Sequence, residues 1–359
     1  MSNSALAKAA RTPDDYARLG ISRDGIQPSE DGARTDNRRG TYEWWYFDAH
    51  LDDGSTLVVV FMNKDLTTPG KPLAPRIRLN LDLADGRSIE KVVDFPAGSW
   101  TAAHDHADVR IGENRFRGDL HTYAIDVTLD DLDVHVTLTG TVPPWRPETG
   151  YMLFGPDDGL EFAWLPSVPE GKVEGTYTVD GETRHASGVG YHDHNWGNVS
   201  LLKVIHDWYW ARGNAGPYSV IASFITAHEK YGYSAIPILM IAKDGRIVAD
   251  DATRVRFETD GLYTDQATGK PVAGVIRYIY DDGDLRYVVT FTREQDLANA
   301  RMIDTLPRPQ RVLARVARFD GAYLRFTGEC RVQRFERDVM VEDHADSAIW
   351  ELMYFGHAR

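Results

Sequence analysis

The stretch GTYEWWYFDAHLDDGSTLVVVFMN (residues 40–63) decides how the chain reads. Two aromatic and β-branched runs flank Asp53-Gly54. Such runs favour a pleated, half-buried surface, and Asp-Gly supplies the positive φ that a tight hairpin needs. The pattern then repeats outward. Residues 76–83, 88–95, 122–129 and 133–140 alternate or run apolar at strand length, as do 218–226, 235–242, 275–282, 286–293 and 322–332. Asp85-Gly86, Asp180-Gly181, Asp244-Gly245 and Asp282-Gly283 fall between runs. Helical periodicity is scarce: one short helix is expected near residues 4–10 and one near 293–303. The fold class is therefore all-β, with many short antiparallel strands closing into barrels or sandwiches.

An internal echo divides the chain. Glu43-Trp44-Trp45-Tyr46, a turn at Gly54 and an apolar strand reappear as Asp207-Trp208-Tyr209-Trp210, a turn at Gly216 and SVIASFIT. At 359 residues the chain has room for two domains. We expect a flexible arm over 1–34, an N-terminal domain over 35–200 and a C-terminal domain over 201–359. Pro143-Pro144-Trp145-Arg146-Pro147 reads as an irregular crossover.

Composition excludes several classes. With 54 Asp+Glu against 40 Lys+Arg the net charge is −14, which argues against nucleic acid or an anionic membrane as the main partner. No run is long and apolar enough for a transmembrane helix. Cys330 is the lone cysteine, so an intramolecular disulfide and a Cys-based zinc site are excluded. The first residues lack a secretory apolar core, so the expected location is the cytoplasm; a homo-oligomer stays open.

The chemistry concentrates in Gly188-Val-Gly-Tyr191-His192-Asp193-His194-Asn195-Trp196-Gly197-Asn198. On a strand, His192, His194 and Trp196 face one way, and Tyr191, Asp193 and Asn195 the other. A desolvated carboxyl stays protonated near neutrality and can protonate a C=C bond, tryptophan faces stabilise the resulting cation, and a histidine can orient water. Candidate catalytic residues are Asp193, His194, Trp196 and Asp207. Candidate substrate contacts are Trp44, Tyr46, Tyr191, Asn195, Trp208, Trp210 and Glu43, lining one deep apolar cavity. Asp193 and His194 point apart on a regular strand, so a shared site needs a bulge, or Asp207 or Glu43 as the acid. His192-x-His194, His104-x-His106 and His206 allow a metal reading, but no third ligand can be named; the expectation is no metal and no cofactor. Glu43, Asp207 and Arg146 are charged residues beside the aromatics, each more often a structural ion-pair member than a catalyst.

The two motifs, Tyr42–Asp48 with Asp52-Asp53-Gly54 and Gly190–Gly197, together resemble the AttH / carotenoid 1,2-hydratase family. The resemblance covers roughly residues 35–359 and implies two lipocalin-like β-barrel domains in tandem. Its members include hydratases of acyclic carotenoids and of prenyl side chains, and fungal relatives that steer Diels–Alder cyclisations. In the hydratases a His-x-Trp pair assists protonation, matched by His194-Asn195-Trp196. Their acid, about thirty positions downstream, has no counterpart: residues 219–228 hold no Asp or Glu, and Ser223 and Thr226 stand there. The reading is a cofactor-independent enzyme acting on C=C bonds of a hydrophobic, isoprenoid or polyene-like small molecule. The alternatives are a pericyclase or a ligand-carrying lipocalin-like protein.

Overall fold

The computed structural model describes residues 7–305 and 319–358. The regular structure of the described residues is nearly all strand, in two compact units. Residues 9–153 and 158–200 form the first; residues 154–157 and those from 201 onward make up most of the second. Each is described by itself.

In the first unit the strands that carry the site are β1 (Tyr42–Leu51), β2 (Thr56–Met62), β3 (Leu160–Val179) and β4 (Glu182–Gly197). The second is built on β5 (Ile205–Ala215), β6 (Tyr218–Ala227), β7 (Leu285–Arg301), β8 (Ala322–Glu336) and β9 (Val339–Tyr354). Neighbour by neighbour, the first sheet runs 88–94, 76–82, β2, β1, β4, β3, 132–140, 122–129, 114–118, 107–111, 100–102. The second runs 246–249, 235–243, β6, β5, β9, β8, β7, 271–281, 255–264. Both follow one plan. The chain meanders outward from the opening strand, resumes at the far edge, and returns until the closing strand pairs with the opening one. The echo seen in the sequence falls on the two opening strands, β1 and β5.

The Asp-Gly pairs turn as their chemistry demands. Asp180-Gly181 (φ 54° and 77°) joins β3 to β4, and Asp244-Gly245 (49° and 74°) follows 235–243; two consecutive positive φ values are the tight-hairpin signature. Alternate apolar side chains of the first sheet fill its interior, with Trp45, Phe47, Leu57, Val59, Phe61, Phe116 and Tyr123 fully buried. Residues 143–147 form no strand, as expected.

Three expectations are corrected. Ala7–Ala9 is extended, and the helix is α1 (Pro13–Leu19); residues 4–6 of the expected helix lie outside the described residues. Thr12 caps α1 in a reciprocal box with Asp15, Pro13 opens it and Gly20 closes it at φ 67°. Residues 293–301 belong to β7, paired to β8 through register shifts at Arg293/Gln295 and Asp296/Ala298. Each shift breaks the two-residue alternation, so the segment loses a strand's signature while its backbone stays in the ladder. The stretch 1–34 is no loose arm in its described part: Ala10, Tyr16, Glu30, Asp31 and Ala33 are buried in the first unit.

Candidate functional site

β4 pairs with β1 in unbroken register from Gly188↔Leu51 to Gly197↔Tyr42. Directly paired residues share a face. Tyr191, Asp193 and Asn195 therefore stand with Asp48, Tyr46 and Trp44 on one face. His192, His194 and Trp196 stand with Phe47, Trp45 and Glu43 on the other, the interior one. The bulges lie between β3 and β4, around Leu165/Val168 and Val168/Gly171. They leave the β1–β4 register intact, so Asp193 and His194 stay on opposite faces and do not share a site. Gly188 is dictated by contact: a Cβ there would sit 2.2 Å from the His50 carbonyl oxygen.

On the interior face, His194 is fully buried and lies flat against Trp45, ring centroids 4.1 Å apart. Its Nε2 is 2.9 Å from Glu43 Oε1, and its Nδ1 is 3.4 Å from Asp31 Oδ1, an ion-pair contact longer than a good hydrogen bond. Carboxylates only accept, so the ring is set up as an imidazolium. Burial pushes the His194 pKa down, but the hydrogen bonds and charges of Asp31 and Glu43 outweigh it and the net shift is upward. Burial likewise opposes ionisation of Asp31, but His192 and His194 hold its carboxyl well below the usual range. Tyr123 Oη also donates to Asp31 Oδ2. His192 donates from Nδ1 to the Tyr46 carbonyl (2.8 Å) and turns Nε2 to Asp31 (3.2 Å).

Glu43 is fully enclosed. It accepts from the Arg34 amide (2.5 Å), the Thr35 amide (3.2 Å) and Thr35 Oγ1 (2.8 Å) as well as from His194. With its oxygens so engaged, Glu43 positions His194 and is no substrate contact. The metal reading of His192-x-His194 meets the same obstacle, because both rings are committed to Asp31, Glu43 and the Tyr46 carbonyl.

Trp196 packs at 4.7 Å from the His194 ring and 5.4 Å from Tyr151, and the Arg34 guanidinium lies 5.7 Å from its centroid. It walls a cleft of about 290 Å³ whose lining also includes Arg34, Arg38, Thr41, Glu161 and Gly197. This is not the greasy hollow expected. This space lies at the rim of the first unit, where the lining is mostly polar or charged. With two positive groups already against it, Trp196 is poorly placed to stabilise a carbocation.

On the opposite face, Asp193 is buried and accepts from Tyr191 Oη (2.7 Å), Trp164 Nε1 (2.8 Å) and Asn195 Nδ2 (2.6 Å). Burial pushes its pKa up to about 6, against the pull of the Tyr191 and Trp164 hydrogen bonds. The half-buried Trp44 stacks with Tyr42 (5.8 Å) and Phe162 (6.1 Å), and Tyr46 sets its edge to Tyr191 (6.2 Å).

Asp207, Trp208 and Trp210 belong to the second unit and do not line the Trp196 cleft. Asp207 bonds His206 Nδ1 (2.5 Å) and accepts from Thr226 Oγ1 (3.2 Å). Ser223 donates to the Tyr209 carbonyl (2.8 Å). Trp208 meets Phe355 edge-on at 5.2 Å. Arg146 pairs with Glu30 at 2.9 Å, both buried, in a structural role. His104 bonds the Ala33 carbonyl and His106 bonds Asp105. Sequence reasoning missed Asp31, Thr35, Trp164 and Glu161.

The chain is nearly all-β, with a buried carboxylate–imidazole–carboxylate array beside a tryptophan-walled cleft. The chain belongs to the Diels-Alderase-like family, whose model matches residues 37–297. It is 25% identical over 277 residues to the quinolone epoxide rearrangement protein asqO of Emericella nidulans, covering 72% of this chain and 74% of that protein. It is 27% identical over 252 residues to the acyclic carotenoid 1,2-hydratase of Thiocapsa roseopersicina, covering 67% and 61%. The crystal structure of an AttH protein from Nitrosomonas europaea superposes with a TM-score of 0.60 at 16% identity, over 92% of this chain and 98% of that one; this likeness speaks to the fold.

Proposed function

We propose that this chain is a cofactor-independent enzyme acting on a C=C bond of a hydrophobic, isoprenoid- or polyene-like small molecule, by proton-initiated hydration or cyclisation. The observation that carries this reading is Asp193. Its carboxyl, at a pKa of about 6, still holds a proton in part of the population near neutrality. It sits among Trp164, Tyr191 and Asn195 on the face that also carries Trp44 and Tyr46. An acid in aromatic surroundings is what C=C protonation needs, and the indole and phenol faces supply the cation–π partners. Water would then add to the cation and give up a proton to the carboxylate, or an internal double bond would close on it and the new cation would lose a neighbouring C–H proton to the carboxylate.

The test is turnover of acyclic polyenes and prenylated aromatics in D2O. Protonation leaves solvent deuterium on carbon in the product. Asp193→Asn is expected to lower the rate by about 10²–10⁴-fold, the usual worth of a positioned acid. Deuterium-free product formed by that variant at the wild-type rate would defeat the reading.

Two observations favour a second reading, cycloaddition. Asp193 and His194 lie on opposite faces, and Ser223 and Thr226 stand where the hydratase acid would be. A pericyclic reaction needs shape and hydrogen bonds but no proton on carbon. The same D2O experiment separates the two.

A further inference from the structure

The cleft beside Trp196 is lined by polar groups, most of which the protein already uses. Thr35 Oγ1 donates to Glu43 (2.8 Å) and Thr41 Oγ1 to the Arg38 carbonyl (2.9 Å). The Asn198 side chain accepts from the Glu161 amide (2.9 Å) and donates to the Gly159 carbonyl (3.0 Å). Asp36 lies 3.7 Å from the Arg38 guanidinium, and both are exposed. Arg34 is different. Its half-buried guanidinium lies 5.7 Å from the Trp196 ring centre, beside the Tyr151 hydroxyl, and gives a donor to the Ser29 carbonyl at 3.3 Å. Among the described residues no carboxylate comes within 4.0 Å of it.

This arginine is also held in place. Glu43 accepts from the amides of Arg34 (2.5 Å) and Thr35 (3.2 Å). Lys64, buried, donates from Nζ to the carbonyls of Asn37 (3.0 Å) and Arg38 (2.5 Å), and buried Asn63 donates to Asn37 Oδ1 (2.8 Å). Residues 34–38 therefore present a backbone fixed from behind, and a ligand that meets Arg34 does not have to order it.

A guanidinium with spare donors and no counter-charge, in a recess of about 290 Å³, suits an acceptor that carries negative charge. Its planar fork matches a carboxylate through two parallel N–H···O bonds, a geometry a point charge does not impose. The acidic neighbours limit how much charge the recess takes. Asp36 and Glu161 share the lining and oppose the second charge of a phosphate. Glu161 stands among the charges of Arg18, Arg34 and Arg38, and burial pushes its pKa up, which weakens its own repulsion of a single charge. We propose that the Trp196 cleft is a binding site for a small organic monocarboxylate, gripped by the fork of Arg34, with Arg38 as a second positive wall. This goes beyond the reading above, whose acid, Asp193, lies on the other face of β4.

The test uses sorbate, a short dienoic acid that is ionised near neutral pH, and sorbamide, its neutral isostere. Isothermal titration calorimetry on the full chain is expected to show sorbate bound about tenfold tighter, because hydrogen bonds between charged partners are worth about twice neutral ones. Arg34→Gln keeps the backbone amide that Glu43 accepts. It is expected to abolish the preference by weakening sorbate, with far less effect on sorbamide. Arg34→Lys keeps the charge without the fork and is expected to restore only part of it. Arg38→Gln, at an exposed side chain, is expected to weaken sorbate about threefold. Equal affinity of the two probes for the wild-type chain, or a preference that survives Arg34→Gln, would overturn the proposal. Should Arg34→Gln fail to fold, unchanged sorbate binding in Arg38→Gln would overturn it as well. Inorganic phosphate displacing sorbate at equal concentration would overturn the choice of a monocarboxylate. Deuterium uptake lost with Asp193→Asn is independent of these readings, so either proposal can fall while the other stands.

Discussion

Asp193 and His194 are neighbours in the chain whose environments drive them in opposite senses. Asp193 faces three neutral donors, and burial raises its pKa to about 6. The folded protein thus keeps this proton to higher pH than the unfolded chain does. Stability from this group is greatest at low pH and falls as pH rises from 3.8 towards 6, by roughly 3 kcal/mol. Asp193→Asn, with the Asn195 amide turned to present its oxygen, removes the buried charge. We expect this variant to unfold at an equal or higher temperature than the wild type at pH 8 while losing activity; a clear loss of stability at pH 8 would contradict the account. His194 runs the other way. Its pKa is raised above 6.5, so its contribution is full below 6.5 and is lost as pH rises through its folded value. His194→Gln should therefore flatten the alkaline side of the stability profile, measured by denaturant unfolding from pH 6 to 9. The motif itself was legible, because alternation alone put His194 with Trp196 and Asp193 with Tyr191. Asp31 and Glu161 were not, since neither stands in a chemical motif; each gains its importance from what the fold sets beside it.

At the scale of elements, the segment from Glu30 to Thr35 is the least legible and the most consequential. It has no strand or helix periodicity, which is why it reads as an arm. Yet Trp45 Nε1 donates to the Asp31 carbonyl (3.0 Å), and the amides of Arg34 and Thr35 close on Glu43. These irregular residues complete the interior charge array that β1 and β4 begin. Asp31→Ala would leave His194 with one carboxylate, strip His192 Nε2 of its acceptor and orphan Tyr123 Oη, all fully buried. Removing one member of a buried ionic array costs about 3–5 kcal/mol, far more than the array's net contribution. Urea unfolding should show a loss of that size, and a change below about 1 kcal/mol would mean that the array is not charged as described. The misread segment 293–301 shows the opposite failure. There the ladder is real, but two register shifts erase the alternation that sequence reading depends on. The helix α1 was readable in principle, since Thr12-Pro13-Asp14-Asp15 is a capping box with proline at its first turn.

At the scale of the molecule, the repeated plan was legible because each unit opens on an acid and three aromatics, and each closing strand returns to that opening strand. The two units differ in what they place there. The opening pair of the first unit carries imidazoles, carboxylates and the Trp196 cleft; that of the second carries Asp207 with His206 and Thr226. If the cleft of the first unit holds substrate, ligand protection has a location. In hydrogen exchange, a saturating polyene ligand should slow the amides of residues 34–38, 160–163 and 195–198, which line the cleft or hydrogen-bond across its floor. The edge strand 246–249 of the second sheet should stay unchanged. The reason is energetic: a ligand stabilises against those openings that would release it, by RT ln(1 + [L]/Kd), about 2.7 kcal/mol at a hundredfold excess over Kd, and leaves the others alone. Protection confined to β5 and β6 would instead assign the ligand to the second unit.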